Sequence, residues 1–251
     1  MTTKPPLTAA VLTALLLVTT ARPALADEAG QAVMQKCFEA HGGLEHWQDM
    51  GTFAYTMTGF PLSEPTKGTT QTTVDLQRRA VRIDGSSFIV AFDGNEAWAL
   101  PHEEAAGLPP RFITTGSSYF IMMPFVFGDP GTNYHFKGTR QWQGQDFVAV
   151  GVTYDDGVGY SDDDDYVLYL DPDTYVLRLI HHTATEAYDP SHRVTWGFES
   201  WQEIDGLFVP EEMTFYKAWD PDNPPTEGVS FTIDNVELHR DQPEPAMFEK
   251  P

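Results

Sequence analysis

One cysteine, Cys37, stands in 251 residues. No intramolecular disulfide can form, so the core alone must hold the fold. Positive charge is scarce as well: 15 lysines and arginines face 37 aspartates and glutamates, for a formal charge of −22. Such a surface repels nucleic acid and anionic lipid headgroups, and keeps a protein soluble. Chemical motifs are missing too. Gly116-Ser117-Ser118 lacks the G-x-S-x-G elbow, His102-Glu103-Glu104 has no second histidine at the spacing a zinc protease needs, and Gly157-Val158-Gly159 lies in an acidic stretch that repels phosphate. Long apolar runs are also absent from the middle of the chain. The stretch Tyr119–Phe127 is aromatic, aliphatic, methionine or proline throughout, yet it falls short of the ~20 residues of a membrane span. It must be buried in protein, or on something the protein holds.

The chain opens with the features of a removable export signal: Lys4, a nearly continuous apolar stretch Ala9–Val18, and a small-x-small site at Ala24-Leu25-Ala26. The expected mature chain starts near Asp27, outside the cytoplasm, periplasmic or secreted. No cysteine follows closely enough to carry a lipid, since Cys37 sits behind Met34-Gln35-Lys36. Residues 27–251 show no internal repeat and no linker, which predicts a single domain, and their length allows ~70% of the unfolded surface to be buried without staples.

Val33, Met34, Cys37 and Phe38 recur at helical spacing after Asp27 and Glu28, and Gly42-Gly43 ends that helix, with Leu44–Trp47 adding a short turn. From Thr52 the period becomes two, beginning with Phe53, Tyr55 and Met57. Asp93-Gly94-Asn95, Asp171-Pro172-Asp173-Thr174 and Ile204–Phe208 carry hairpin chemistry. The pattern predicts roughly ten to twelve antiparallel strands, a mainly β (α+β) protein without the alternating helices of a parallel sheet. Between Leu100 and Tyr134 the strand pattern lapses, and Arg111–Met123 reads as one or two short helices ended by Pro124.

Several segments together resemble the bacterial lipoprotein-carrier superfamily: Ala40-His41-Gly42-Gly43-Leu44-Glu45-His46-Trp47, Phe120–Pro130, the strand-turn-strand Tyr166–Thr174, and the closing Met247-Phe248-Glu249-Lys250-Pro251. The chain is similar also to a group of exported proteins classed with that superfamily. The resemblance implies an unclosed antiparallel half-barrel with an N-terminal helix and short lid helices on its concave side. It further implies a holder of lipid, acyl chain or another amphiphile, a lipid or lipoprotein carrier that meets a membrane-associated donor or acceptor and works as a monomer. This chain is longer and far more acidic than the carrier itself, and no arginine stands where one would latch the lid.

The residues expected to line an apolar pocket are Cys37, Trp47, Phe120, Met122, Met123, Phe125 and Phe127, with Trp98 and Trp196 on the sheet face. Methionines adapt to variable shapes and aromatics supply area. The same run reads equally as ordinary core, and Cys37 as a small packing residue. No catalytic residue, metal ligand or cofactor is assigned. His41 and His46 straddle the diglycine, while His181 and His182 point to opposite faces of a strand, where His135 or His192 would be the nearest companions. The alternatives are a hydrolase pairing His181 or His182 with Glu199 across strands, and an interaction module whose acidic loop, Asp155–Asp165, binds calcium or a cationic partner.

Overall fold

The computed structural model describes residues 27–158, 164–183, 193–216 and 226–251. The expected signal segment, His192, and Asp162 and Asp163 of the acidic loop lie outside those residues. Helices α1 (Glu28–Ala40) and α2 (Leu44–Gln48) come first, then strands β1 (Thr52–Thr58), β2 (Thr69–Asp75), β3 (Ala80–Asp84), β4 (Ile89–Phe92) and β5 (Ala97–Leu100). Helix α3 (Pro110–Ile121) and a 3-10 turn, Phe125–Gly128, follow. The second run of strands is β6 (Thr132–Trp142), β7 (Gln145–Tyr154), β8 (Tyr166–Leu170), β9 (Leu177–His182), β10 (Val194–Ile204), β11 (Leu207–Tyr216) and β12 (Val229–His239). Among the described residues no helix is long and apolar enough to cross a membrane.

Among the described residues twelve strands form one antiparallel sheet, ordered β5-β4-β3-β2-β1-β12-β11-β10-β9-β8-β7-β6. The expected unclosed half-barrel is therefore what the chain builds, one strand richer than the resemblance implied, with the four-residue pair β4 and β5 extending one edge. The order explains the lapse in strand pattern after Leu100. The chain starts mid-sheet at β1, steps outward to the edge β5, and resumes at the opposite edge β6 before returning strand by strand until β12 pairs with β1. Residues 101–131 must carry it from one edge to the other, and α3 packs on β3, β4 and β5 as it crosses.

Turn chemistry sets the hairpins. Asp205 and Gly206 both take positive φ between β10 and β11, the backbone of a two-residue hairpin that matches strand twist. Asp171 Oδ1 accepts from the amides of Asp173 and Thr174, at 3.1 and 2.8 Å, and these bonds hold its carboxyl below the usual range. Irregular pairing bends the sheet: the β1–β12 register shifts between Ala54 and Thr56, and β10–β11 shifts around Ser200. Such bulges increase the local bend and twist.

Alternation then sorts side chains by face. Phe53, Tyr55 and Met57 of β1 point to the concave side with Val74, Ile83 and Ile233 of their neighbours. On the convex side Trp142, Phe147, Tyr169 and Leu179 form a separate small cluster.

Candidate functional site: the covered concave face

The N-terminal helices close one end of the concave face, and they are pegged there by backbone groups. Asp27 caps α1 by accepting from Gly30 N, while its second carboxylate oxygen accepts from Phe136 N at 2.9 Å and its own amide donates to Tyr134 O at 3.0 Å. Gly30 sits so close to β6 that a Cβ there would lie 2.7 Å from Tyr134 O. At the other end of the helix His41 is fully buried. Its Nδ1 bonds Cys37 O at 2.7 Å, Nε2 accepts from Leu177 N at 3.4 Å, and its carbonyl accepts from Phe208 N at 2.9 Å. Burial away from water pushes its pKa down to about 4, so the ring is neutral and structural. Gly42, at φ +100°, lies against the β10–β11 turn, where a Cβ would fall 2.1 Å from Gly206 O.

The crossing segment covers the rest of the face differently. Thr114, Ser117 and Ser118 are buried on α3, yet each hydroxyl bonds a carbonyl of its own helix one turn back: Pro110 O at 2.7 Å, Ile113 O at 2.5 Å and Thr114 O at 2.7 Å. Back-bonding of this kind satisfies a polar side chain without a partner elsewhere. No side chain caps the N-terminus, which begins at Pro110. The helix meets the sheet through apolar packing and through a 2.5 Å bond between the Tyr119 and Tyr154 hydroxyls. Its flanks are fixed: Ser63 Oγ donates to Ala106 O at 2.6 Å, and Arg79 pairs with Asp129 at 2.5 Å.

Two aromatic groups mark the interior. At one, Trp47 of α2 stacks on Phe125 with centroids 4.6 Å apart and meets Phe53 edge-on. At the other, Trp196 is stacked by Phe120 of α3 at 4.5 Å and by Phe60 at 6.0 Å. Its indole N–H donates to His182 Nε2 at 3.1 Å, and His182 Nδ1 bonds Thr183 O at 2.5 Å. That arrangement requires a neutral imidazole, and burial lowers the His182 pKa to about 4.

Of the residues expected in a pocket, Cys37, Trp47, Phe120, Met122, Met123, Phe125, Phe127 and Trp196 belong to the one concave-side core, all of them buried. Trp98 is the exception and corrects the expectation. Its neighbour Ala99 pairs with Val90 on the concave side, so Trp98 faces out, where its Nε1 donates to Phe248 O at 2.8 Å under the C-terminal segment. The pairing proposed for a hydrolase is not assembled with His182, which faces inward while Glu199 shares the outer face with Gly197 and Tyr216. His181 does face outward, but its Nδ1 is 2.7 Å from Thr195 Oγ1 and burial takes its pKa to about 3. Among the described residues no group of three or more histidine, cysteine, aspartate or glutamate side chains is placed to hold a metal. In the acidic loop Asp165 pairs with Arg193 at 2.6 Å and Asp164 accepts from Thr183 Oγ1 at 3.1 Å. Sequence reasoning did not find His182 as the acceptor for Trp196, nor Phe60 beside it. Their only signal is strand register, which places both His182 and Trp196 on the inner face at diagonal positions of β9 and β10.

No protein-family model matches the chain, and no curated protein matches it. Among solved structures it is similar to a DUF1329 family protein from Desulfovibrio piger, with a TM-score of 0.50 and 11% identity over 88% of this chain and 97% of that one. It is also similar to a LolA superfamily protein from Nitrosomonas europaea, with a TM-score of 0.48 and 13% identity over 88% of this chain and 97% of that one. At the level of fold the chain thus matches the DUF1329 family structure.

Proposed function

We propose that the chain, exported and freed of residues 1–26 as a single β domain, is a non-enzymatic binding protein for the apolar part of an amphiphile such as a lipid or acyl chain. The cargo lies between the concave sheet face and α3. The observation that carries this reading is how α3 is attached. It is a connection between two sheet edges rather than a strand, and its buried hydroxyls bond its own carbonyls. Lifting it breaks no ladder bond; the contacts it gives up include the Tyr119–Tyr154 hydroxyl pair and the Arg111 guanidinium over the Phe92 ring.

What α3 and the 3-10 turn lose when lifted is largely apolar contact, which a hydrocarbon chain replaces on both surfaces, together with the bond Tyr134 Oη donates to Phe127 O. Affinity is then the difference between two burials, each worth ~25 cal/mol per Å², so selectivity among chains of similar length is loose. Methionine at 122 and 123 suits a surface that must meet either a plug or a guest. A donor or acceptor membrane would supply and receive the cargo.

The test is native mass spectrometry of the purified protein with organic extraction, together with titration by a neutral fluorescent apolar probe. Co-purified amphiphile, or saturable probe binding displaced by long-chain lipids, is expected. Protein that yields no extractable amphiphile and binds no probe overturns the reading.

A further inference from the structure

On the concave floor two neighbouring hydroxyls stand without partners. Tyr55 of β1 and Thr72 of β2 are paired in register, 3% and 1% exposed, and neither Tyr55 Oη nor Thr72 Oγ1 has a hydrogen-bond partner of good geometry. Both oxygens belong to the face that carries Phe53, Met57, Val74 and Ile83. Burial raises the Tyr55 phenol well above its ordinary range, and a poorly aligned hydroxyl contact with Thr72 offsets this a little. Even if the two turned toward each other, a hydroxyl pair uses one of its two hydrogens and leaves the other unmet.

A buried hydroxyl left unpaired costs about 1–3 kcal/mol, and native cores rarely keep one without a use. The position is also one where the regular pairing of the sheet fails. Tyr55 is the residue at which the β1–β12 register breaks, opposite the positive-φ residue Asn235. Bulges re-aim side chains, and this one lies in the strand pair where the two halves of the sheet meet. Along β1 it sits between Phe53, which meets the Trp47–Phe125 stack, and Met57.

Building on the reading of the concave face as an amphiphile site, we infer that Tyr55 and Thr72 form a polar anchor for an uncharged oxygen group on the cargo, an ester carbonyl or a hydroxyl. The chemistry sets the class. Two hydroxyls offer donor hydrogens and lone pairs to a carbonyl or alcohol oxygen. Their surroundings on β1, β2 and β3, with Phe53, Met57, Val74, Val81 and Ile83 on the same face, hold no cation to balance a carboxylate. The anchor therefore selects neutral oxygenated lipids over free fatty acid and over bare hydrocarbon.

The test uses the full mature protein and a neutral apolar fluorophore, displaced by four chains of equal length: a methyl ester, an alcohol, a carboxylate and the plain alkane. The ester and the alcohol are expected to bind about tenfold more tightly than the other two, the worth of one net hydrogen bond. Tyr55→Phe is expected to bring the four within about twofold of one another while leaving the urea midpoint unchanged or raised, and Thr72→Val to do so in part. Equal binding of all four chains by the wild type, a preference for the carboxylate, or an unchanged preference in both variants overturns the anchor while the amphiphile site stands. A lowered midpoint in Tyr55→Phe also overturns it, since the hydroxyl would already be bonded. Failure of every chain to displace the fluorophore, or of the fluorophore to bind, removes the underlying reading and the anchor with it.

Discussion

Helices α1 and α3 are nearly equal in length, 13 and 12 residues, and both lie against the sheet's concave side. The first is fastened by main-chain groups: Asp27 bonds both the helix and β6, Gly30 and Gly42 allow backbone to touch backbone, and His41 ties the helix end to β9 and β11. The second is fastened at its flanks and satisfies its own buried hydroxyls in between. Hydrogen bonds fix geometry because they fail steeply with distance and angle, whereas apolar contact accepts any partner of suitable shape. One segment is built as a fixed plug and the other as an exchangeable cover.

Acid should break the arrangement most widely, because both regions depend on a neutral histidine. His41 in the plug and His182 under the cover have folded pKa values lowered to about 4, against 6.5 in the unfolded chain. Between those values the unfolded chain binds protons that the folded chain refuses, so stability is fully present above pH 6.5 and is lost as pH falls to about 4. Each histidine contributes about 3 kcal/mol to that loss. Urea unfolding at pH 7 and at pH 4.5 checks it, and equal midpoints would contradict the buried neutral rings.

Gly42→Ala strikes the plug alone. Its Cβ would overlap Gly206 O at a backbone angle that alanine avoids, and a loss of about 3 kcal/mol or more in folding stability is expected from thermal or urea unfolding. A milder cut is Asp27→Ala, which removes the α1 cap and the acceptor for Phe136 N, with an expected cost of about 1–2 kcal/mol in the same assay. Hydrogen exchange in that variant should rise in α1 before it rises in β1.

The cover should respond with the opposite sign. Gly116 lies within α3, and a Cβ there would meet nothing within 4 Å. Gly116→Ala is expected to add about 0.5–1 kcal/mol through helix propensity alone. If it destabilises instead, α3 is as tightly fitted as α1 and the contrast fails.

Much of this was legible along the chain. Gly42-Gly43 ended α1 as read, Pro124 followed the end of α3, and the hairpin turns stood where aspartate, asparagine and glycine cluster. The apolar run Tyr119–Phe127 announced its burial. It did not announce what it would be buried against, because that depended on a crossing between sheet edges defined by pairings far apart in sequence.

Local chemistry settled the elements themselves. Period-two alternation, turn residues that tolerate positive φ, and helix stops act over a few residues, so they are written directly in the order of amino acids. Only the tertiary structure decided which residues became the floor, the cover and the outside. It turned Trp98 outward to Phe248, set His182 under Trp196, and left Tyr55 beside Thr72 without a bonding partner. The reason is register: a shift of one residue exchanges the two faces of a strand, and register is fixed by bulges and by partners that the local sequence does not contain.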